Sequence, residues 1–255
     1  MNSQESNAIS SSEKTVIKLT DRLSSDMGRL CLNELYSDVS FIVEDQSLPA
    51  HCLILAARSE YFRAMLYGGM AESQQRQIQL PEVPLEAFKV ILGYLYSATM
   101  EIFTLDVAAH IKVLRLANQY GLVEVESALS GHLQENLSVS NVCMILKTAR
   151  LYNLNELAEK CLKFMDRNGS KLMADDSFQK LSLESLKEIL RRDTFVAYEG
   201  DIFLSVYEWI QHNPSVDRKS VLSLIRLPII GVDDLVRVVR PTGNRRAGKN
   251  TRRHR

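Results

Sequence analysis

Long apolar runs are missing from this chain of 255 residues, since no stretch approaches the ~20 apolar residues that a membrane-spanning helix requires. Residues 1–15 also lack the apolar core of a secretory signal, which predicts a soluble, cytoplasmic protein without a membrane partner. The cysteines have no metal-ligand spacing, so we expect no metal and, in a reducing compartment, buried free thiols. There are four of them: Cys31, Cys52, Cys143 and Cys161.

Enzyme motifs are also missing. The sequence contains no glycine-rich phosphate loop, no nucleophile elbow and no paired histidines at helical spacing, and Gly68-Gly69 is too short to cradle a phosphate. His51 lies at a strand-to-helix junction without an accompanying serine or cysteine nucleophile, so we interpret it as a structural histidine. We therefore predict that the protein is not an enzyme and takes no cofactor.

The formal net charge is zero, but the basic residues are unevenly distributed. The segment Asn244–Arg255, NRRAGKNTRRHR, holds six of the 31 basic residues and no acidic one, so the remaining 25 face 31 acidic residues. A mildly acidic body is not typical of a nucleic-acid-binding protein. The tail is either a disordered end without a specific role or a nuclear-localisation or polyanion-binding segment.

The N-terminal half changes its hydrophobic period several times. Alternation from Asp38 to Glu44 predicts a strand, and a polar break at Glu44–Ser47 leads to a second strand that ends at Pro49. Gln77–Leu80 indicates a third short strand. One apolar helix is predicted between the second and third strands, from the helical spacing of Leu53, Ile54, Ala57, Tyr61, Phe62, Met65 and Leu66.

Helices are predicted before the first strand and throughout the second half. A helix beginning near Asp21 aligns Leu23, Met27 and Leu30, which either pack on their own domain or form an interface. From Asp106 onwards only helical spacing occurs, and the short connections favour antiparallel helix pairs. We place the boundary between a mixed α/β domain and an all-helical domain near residue 137.

The strand pair followed at once by an apolar helix, with Ala50-His51 at the junction, resembles the opening of a BTB/POZ domain. The second half resembles a BACK domain in Asn141–Asn168, Ser182–Asp193 and Asp201–Asn213. The resemblance implies an α+β chain in which a BTB/POZ domain, a small three-stranded sheet covered by helices, precedes an all-α BACK domain of antiparallel helix pairs. The expected limits are 1–15 disordered, 16–136 BTB/POZ, 137–243 BACK and 244–255 a basic disordered tail.

The resemblance also implies binding residues. BTB proteins that bind cullin-3 carry an apolar residue, any residue and a glutamate at the place of Met70-Ala71-Glu72, so Met70 would enter an apolar pocket and Glu72 would accept hydrogen bonds. The alternative is an ordinary solvated loop. The first helix would lie at a two-fold interface, giving a homodimer through Leu23, Met27, Leu30 and Ile54.

Two polar residues, Asp38 and His51, would pair in the structural core of the BTB domain. Cys52 occupies a position where many BTB domains have lysine or arginine, which argues against co-repressor binding. The resemblance implies a substrate-receptor subunit of a cullin-3 RING ubiquitin ligase that binds cullin-3 through BTB and the start of BACK and delivers a protein substrate not named by the sequence. The alternatives are a transcriptional adaptor and a structural dimerisation module without cullin binding. Because the chain leaves the family pattern after Gly243, we expect a short form that lacks the C-terminal recognition domains.

Overall fold

The computed structural model describes residues 20–69, 75–102 and 105–226, which form two compact units that divide between Met100 and Glu101. Several predictions fall outside these ranges: disorder in residues 1–15, the residues Met70 and Glu72, and the basic tail 244–255. Among the helices of the described ranges, none combines the length and the apolar character needed to cross a bilayer.

The first unit is a three-stranded sheet with helices, as the sequence predicts. Strand β1 is central, antiparallel to β2 and parallel to β3. Its elements in chain order are α1 Thr20–Gly28, β1 Val39–Val43, β2 Gln46–Ala50, α2 Cys52–Arg58, α3 Glu60–Tyr67, β3 Gln77–Gln79 and α4 Leu85–Ser97.

The β1–β2 hairpin is tighter than its sequence predicts. The connection is only Glu44-Asp45, with φ values of +46° and +63°, which is the backbone of a type I′ turn. The predicted polar break at Glu44–Ser47 is therefore too long, because β2 already begins at Gln46. Pro49 lies in β2, an edge strand, where the lack of a backbone N–H costs the sheet least.

The single apolar helix predicted after Pro49 is wrong, since the chain forms two helices that break at Ser59. The Ser59 backbone is extended, at φ −148° and ψ 126°, and its hydroxyl accepts a hydrogen bond from the Phe62 N–H at 3.4 Å. A serine in this role caps the second helix and satisfies one of its free N–H groups. The break rotates the two helices, so only Phe62 and Leu66 of the predicted stripe are buried, and Leu55, which the stripe did not include, is buried as well.

The core of the first unit is an aromatic cluster drawn from three elements. Phe41 of β1, Phe62 of α3 and Phe88 of α4 are completely buried. The Phe41 ring lies edge-on to Phe62 and Phe88, with centroids 5.8 Å and 5.4 Å apart. Such edge-to-face pairs contribute about 0.5–1.5 kcal/mol each beyond the area they bury. The alternation that places Phe41 inward therefore ties the sheet to both helices.

The second unit is helical throughout its described residues, in agreement with the predicted spacing. Helices α5 and α6 pack together, as do α7 and α8, and the short connections 120–122 and 152–154 favour antiparallel pairs. The helices are α5 Val107–Gln119, α6 Val123–Glu135, α7 Val139–Leu151, α8 Asn155–Arg167, α9 Gly169–Met173, α10 Leu183–Leu190, α11 Glu199–His212 and α12 Arg218–Leu222, with a 3-10 turn at Phe178–Lys180.

Local sequence signals explain where several of these helices begin and end. Asp106 caps α5 by accepting a hydrogen bond from the Ala109 N–H at 2.7 Å, and Gly121 follows α5 at φ +65°, a conformation that favours glycine. The single tryptophan, Trp209 of α11, is buried and donates its indole N–H to the Leu181 carbonyl at 3.0 Å. That bond satisfies the ring's one polar group and fixes α11 to the residue that follows the 3-10 turn.

Candidate protein-interaction site

The glycine pair predicted to end a helix does so at the C-terminus of α3. A side chain at Gly68 would collide with the Ala64 carbonyl oxygen, and Gly69 has φ +76°. Both glycines are exposed, and the described chain resumes at Gln75, which is also exposed, before β3. Met70 and Glu72 lie outside the described residues, so their role stays a prediction, but the ends of their segment are at the surface.

Helix α1 contacts its own domain through small side chains and leaves an apolar one exposed. Ser24 donates its hydroxyl to the Ser97 carbonyl of α4, and a Cβ on Gly28 would lie 3.4 Å from the Ser97 Cβ. Leu23, the residue before Ser24, is 61% exposed, and Met27 is half-buried. Packing on α4 therefore does not bury the whole predicted stripe.

The prediction that Leu30 belongs to the same helical face is wrong. Helix α1 ends at Gly28, and the next backbone bonds are of the tighter turn type, with the Leu30 N–H donating to the Met27 carbonyl at 3.0 Å. Leu30 is half-buried within these turns. Gly28 is the residue from which this helix end could have been predicted, because glycine is common where helices end.

Helix α2 also packs on α4 and carries a second exposed apolar side chain. Ile54, the predicted interface residue, is half-buried, whereas Leu53 is 74% exposed. The helical spacing of apolar residues placed Leu53 in one stripe with Phe62 and Leu66, which are buried. Leu35 and Tyr36, 53% and 80% exposed, add apolar surface between α1 and β1, so the first unit exposes more apolar area than the four predicted residues supply.

His51 is a structural histidine, but the implied pairing with Asp38 is wrong. The His51 Nδ1 lies 2.8 Å from the Tyr96 hydroxyl, its Nε2 lies 2.8 Å from the Leu35 carbonyl, and its backbone N–H donates to the same Tyr96 hydroxyl at 2.9 Å. Asp38 instead accepts from the Cys52 N–H at 2.7 Å, at the start of α2. The histidine and the carboxylate thus fix the same junction through separate partners.

The four cysteines are free thiols that stay protonated. Burial raises the pKa of Cys31, Cys52 and Cys143 to about 11 and that of Cys161 to about 12. Cys143 and Cys161 are buried as predicted, whereas Cys31 and Cys52 are only half-buried. Within residues 20–69, 75–102 and 105–226, no three histidine, cysteine or acidic side chains are grouped to hold a metal ion.

A groove in the second unit was not predicted from the sequence. It has a volume of about 350 Å³ and lies between α6 and the start of α8. One edge is Val123, which is 72% exposed, and the opposite edge is formed by residues 154–157. Helical periodicity identifies buried faces but does not reveal where two helices diverge, so no sequence signal indicated this groove.

Two residues of α6 that line this groove are an exposed glycine and a serine with a buried hydroxyl. Gly131 lines it, and a Cβ built there would meet nothing within 4 Å. Ser130 also lines it, and its buried hydroxyl has no hydrogen-bond partner in the described part of the chain. A buried hydroxyl without a partner is costly, and its burial also keeps it out of reach of a ligand in the groove. What the groove offers a ligand is therefore the exposed Val123 and the open space at Gly131.

The described residues form a mixed α/β unit with exposed apolar side chains and a helical unit with a groove. Two family models match the chain: the BTB/POZ domain over residues 27–137 and BACK, "BTB And C-terminal Kelch", over residues 142–240. The chain belongs to the BTB–BACK family. The compact units divide earlier, between Met100 and Glu101, so α5 and α6 match the BTB model and pack within the helical unit.

Similar proteins include several named BTB/POZ domain-containing protein 9. The Drosophila melanogaster protein is 59% identical over 228 residues, which are 89% of this chain and 31% of that protein. The Rattus norvegicus and Homo sapiens proteins are 41% and 40% identical over 222 residues, which are 87% of this chain and 36% of each relative. The chain thus spans about a third of the length of these curated relatives.

Proposed function

We propose that this chain is a dimeric adaptor that binds cullin-3 through its BTB domain and the start of its BACK domain, as a substrate-receptor subunit of a ubiquitin ligase. The observation that carries the proposal is the end of α3. Two exposed glycines terminate that helix, and Met70-Ala71-Glu72 follows directly, at the position where the resemblance implies the cullin-binding motif.

The proposed chemistry is binding, because the ligase reaction belongs to partner proteins. Met70 supplies an apolar anchor and Glu72 an acceptor for hydrogen bonds from the cullin. An anchor of this kind at the centre of an interface typically contributes ~2 kcal/mol or more. The adaptor accelerates substrate modification by holding substrate and catalytic subunits at high local concentration. We place this activity in the cytoplasm.

The groove between α6 and α8 supports the part of the proposal that concerns the start of BACK. It offers an exposed Val123 and an open position at Gly131. Those features suit an extended segment of a partner protein that places apolar side chains in the groove. The proposed occupant is a segment of cullin-3.

The apolar surface of the first unit supports the proposed homodimer. Leu23 and Leu53 are exposed, and Met27 and Ile54 remain half-buried within one chain. Each fully buried Leu or Ile contributes about 1.5–3 kcal/mol relative to exposure, so a second copy gains by covering these side chains. Two copies would then present two cullin-binding segments per assembly.

Cullin binding is tested with the isolated cullin-3 N-terminal domain by isothermal titration calorimetry. Met70→Asp should weaken binding by at least about 30-fold, the equivalent of ~2 kcal/mol, since a charge cannot enter an apolar pocket. Glu72→Lys should also weaken binding, because it replaces a carboxylate that accepts hydrogen bonds with an ammonium group that only donates them. Glu208→Lys, at an exposed position of α11, is the matched charge-reversal control and should bind as the unchanged chain does.

The groove is tested by filling it. Gly131→Trp should weaken cullin binding, whereas Gly131→Ala, which adds a single methyl group in open space, should not. If the Met70, Glu72 and Gly131 variants all keep full affinity, or if the unchanged chain does not bind, the ligase proposal fails. A structural or transcriptional dimerisation module would then be the remaining interpretation.

The homodimer is tested by analytical ultracentrifugation of the double variant Leu23→Asp with Met27→Asp. The unchanged chain should sediment as a dimer and the variant as a monomer, because two charges would be buried without partners. Val196→Asp, at a residue 72% exposed in the second unit, is the control. A monomeric unchanged chain at micromolar concentration would disprove the dimer.

A further inference from the structure

The loop between α10 and α11 holds a hydroxyl in an ion-pair network. Thr194 is exposed and donates its Oγ1 hydrogen to the Asp166 Oδ2 at 2.7 Å. Arg192 binds the same carboxylate, with its Nη2 2.8 Å from Oδ2 and its Nε 3.1 Å from Oδ1. Burial raises the pKa of Asp166, but the hydrogen bonds from Arg192 and Thr194 outweigh it and leave the pKa below its ordinary value.

The sequence around Thr194 is Arg191-Arg192-Asp193-Thr194-Phe195. Basophilic protein kinases select an acceptor hydroxyl with arginines two and three residues before it and an apolar residue after it, because their substrate grooves are acidic at those positions. Two other described serines, Ser25 and Ser170, have an arginine three residues before them but none two before. Thr194 is therefore the described hydroxyl with the fuller match.

Basic side chains line the same cavity as Thr194. A shallow cavity of about 580 Å³ is bounded by Thr194, Asp166, Val196 and two exposed cations, Lys163 and Arg167 of α8. A phosphate carries about −1.5 to −2 charges at pH 7, so it repels the Asp166 carboxylate and attracts Lys163 and Arg167. The site thus contains one contact that phosphorylation breaks and two cations that can replace it.

We propose that Thr194 is a phosphorylation site for a basophilic protein kinase, and that Lys163 and Arg167 hold the phosphate in place of the Thr194–Asp166 hydrogen bond. In the reaction the Thr194 oxygen bonds to the γ-phosphorus of ATP, the bond from that phosphorus to the β–γ bridging oxygen breaks, and ADP leaves. The hydroxyl proton passes to the catalytic base of the kinase. The site is independent of cullin binding.

The kinase must capture the loop in an opened state, because Arg192 is engaged and Phe195 is only 7% exposed. Arg191 and Val196 are already exposed, and loops open at lower free energy than helices. Asp166 opposes it by holding both Arg192 and Thr194. The rate of phosphorylation should therefore depend on Asp166, which a hydroxyl on a free tail would not do.

The test uses the 255-residue chain with Mg-ATP and the catalytic subunit of cyclic-AMP-dependent protein kinase. Phosphate should map to Thr194 by peptide mass spectrometry, Thr194→Val should abolish that incorporation, and Ser170→Ala should leave it unchanged. Arg191→Ala should lower kcat/KM about tenfold, the effect of one lost charged contact. Asp166→Asn should raise the rate about tenfold by releasing Arg192 and Thr194.

Phosphate that maps only to Ser25 or Ser170 would overturn the proposal. The proposal would also be overturned if the kinase phosphorylated a peptide covering residues 188–198 but did not phosphorylate the folded chain. The fold would then conceal Thr194. The role of the two cations is tested by a phosphorus NMR titration. The second pKa of the phosphate, ordinarily about 6, should lie lower than in the Lys163→Ala, Arg167→Ala variant, and equal values would refute it.

Discussion

Tyr96→Phe removes one oxygen on which two buried groups of His51 depend. The Tyr96 hydroxyl accepts the His51 backbone N–H at 2.9 Å and lies 2.8 Å from Nδ1. Because Nε2 faces the Leu35 carbonyl, which only accepts, the neutral ring carries its proton on Nε2, and Nδ1 accepts from the tyrosine. Burial raises the pKa of Tyr96, so its hydroxyl keeps the proton that this bond requires.

The magnitude follows from the two groups left without partners. An unsatisfied buried donor or acceptor costs about 1–3 kcal/mol, so we expect the free energy of unfolding of the first unit to fall by about 3 kcal/mol. The measurement is urea unfolding followed by far-ultraviolet circular dichroism. The single tryptophan, Trp209, lies in the second unit, so its emission records that unit separately.

Tyr36→Phe is the matched control, since Tyr36 is 80% exposed and its hydroxyl should contribute no more than about 0.5 kcal/mol. Hydrogen exchange should locate the effect of Tyr96→Phe in residues 48–58, at the junction that the tyrosine fixes. A loss below about 0.5 kcal/mol, with the denaturant dependence unchanged, would refute the assignment of Tyr96 as the partner of His51.

Three further perturbations test the local interactions. Ser59→Ala should cost about 1 kcal/mol in urea unfolding, because it removes the cap of α3; an unchanged midpoint would contradict that role. Gly131→Ala should stabilise α6 by up to about 1 kcal/mol in thermal unfolding, and a loss would mean that the position is not open. Asp166 has a lowered folded pKa, so its contribution is present above its unfolded pKa of about 3.9 and is lost as the pH falls. The stability difference between Asp166→Asn and the unchanged chain should therefore close in acid, and a difference independent of pH would contradict the ion-pair role.

Local patterns in the sequence predicted those strands, helices and helix ends that depend on neighbouring residues. The alternation through Val39, Phe41 and Val43 identified the central strand, because one face of a strand is buried at every second residue. Gly68-Gly69 and Gly121 marked helix ends, and Gly69 and Gly121 have the positive φ that other residues avoid. The helical period of the second half predicted an all-helical unit, because a helix buries one face at every third or fourth residue.

What the sequence did not predict depends on residues far apart in the chain. His51 and Tyr96 are 45 positions apart, so their hydrogen bond has no local signature. The break at Ser59 did have one, a serine followed by Glu60, but the apolar period running through it concealed the cap. The division between Met100 and Glu101 depends on which helices pack together, which periodicity alone does not determine.

The proposed dimer and the proposed cullin-binding segment use different residues, and we predict that they act independently. A dimer gains avidity on a surface that presents many cullin copies, by a factor of about 10²–10⁴, without a new contact at either site. Leu23→Asp with Met27→Asp should therefore leave the dissociation constant in solution unchanged and speed dissociation from a dense cullin-coated surface. Met70→Asp should weaken both measurements. If the dimer variant also lost affinity in solution, the two surfaces would not be independent, and the cullin-binding segment would depend on the dimer for its conformation.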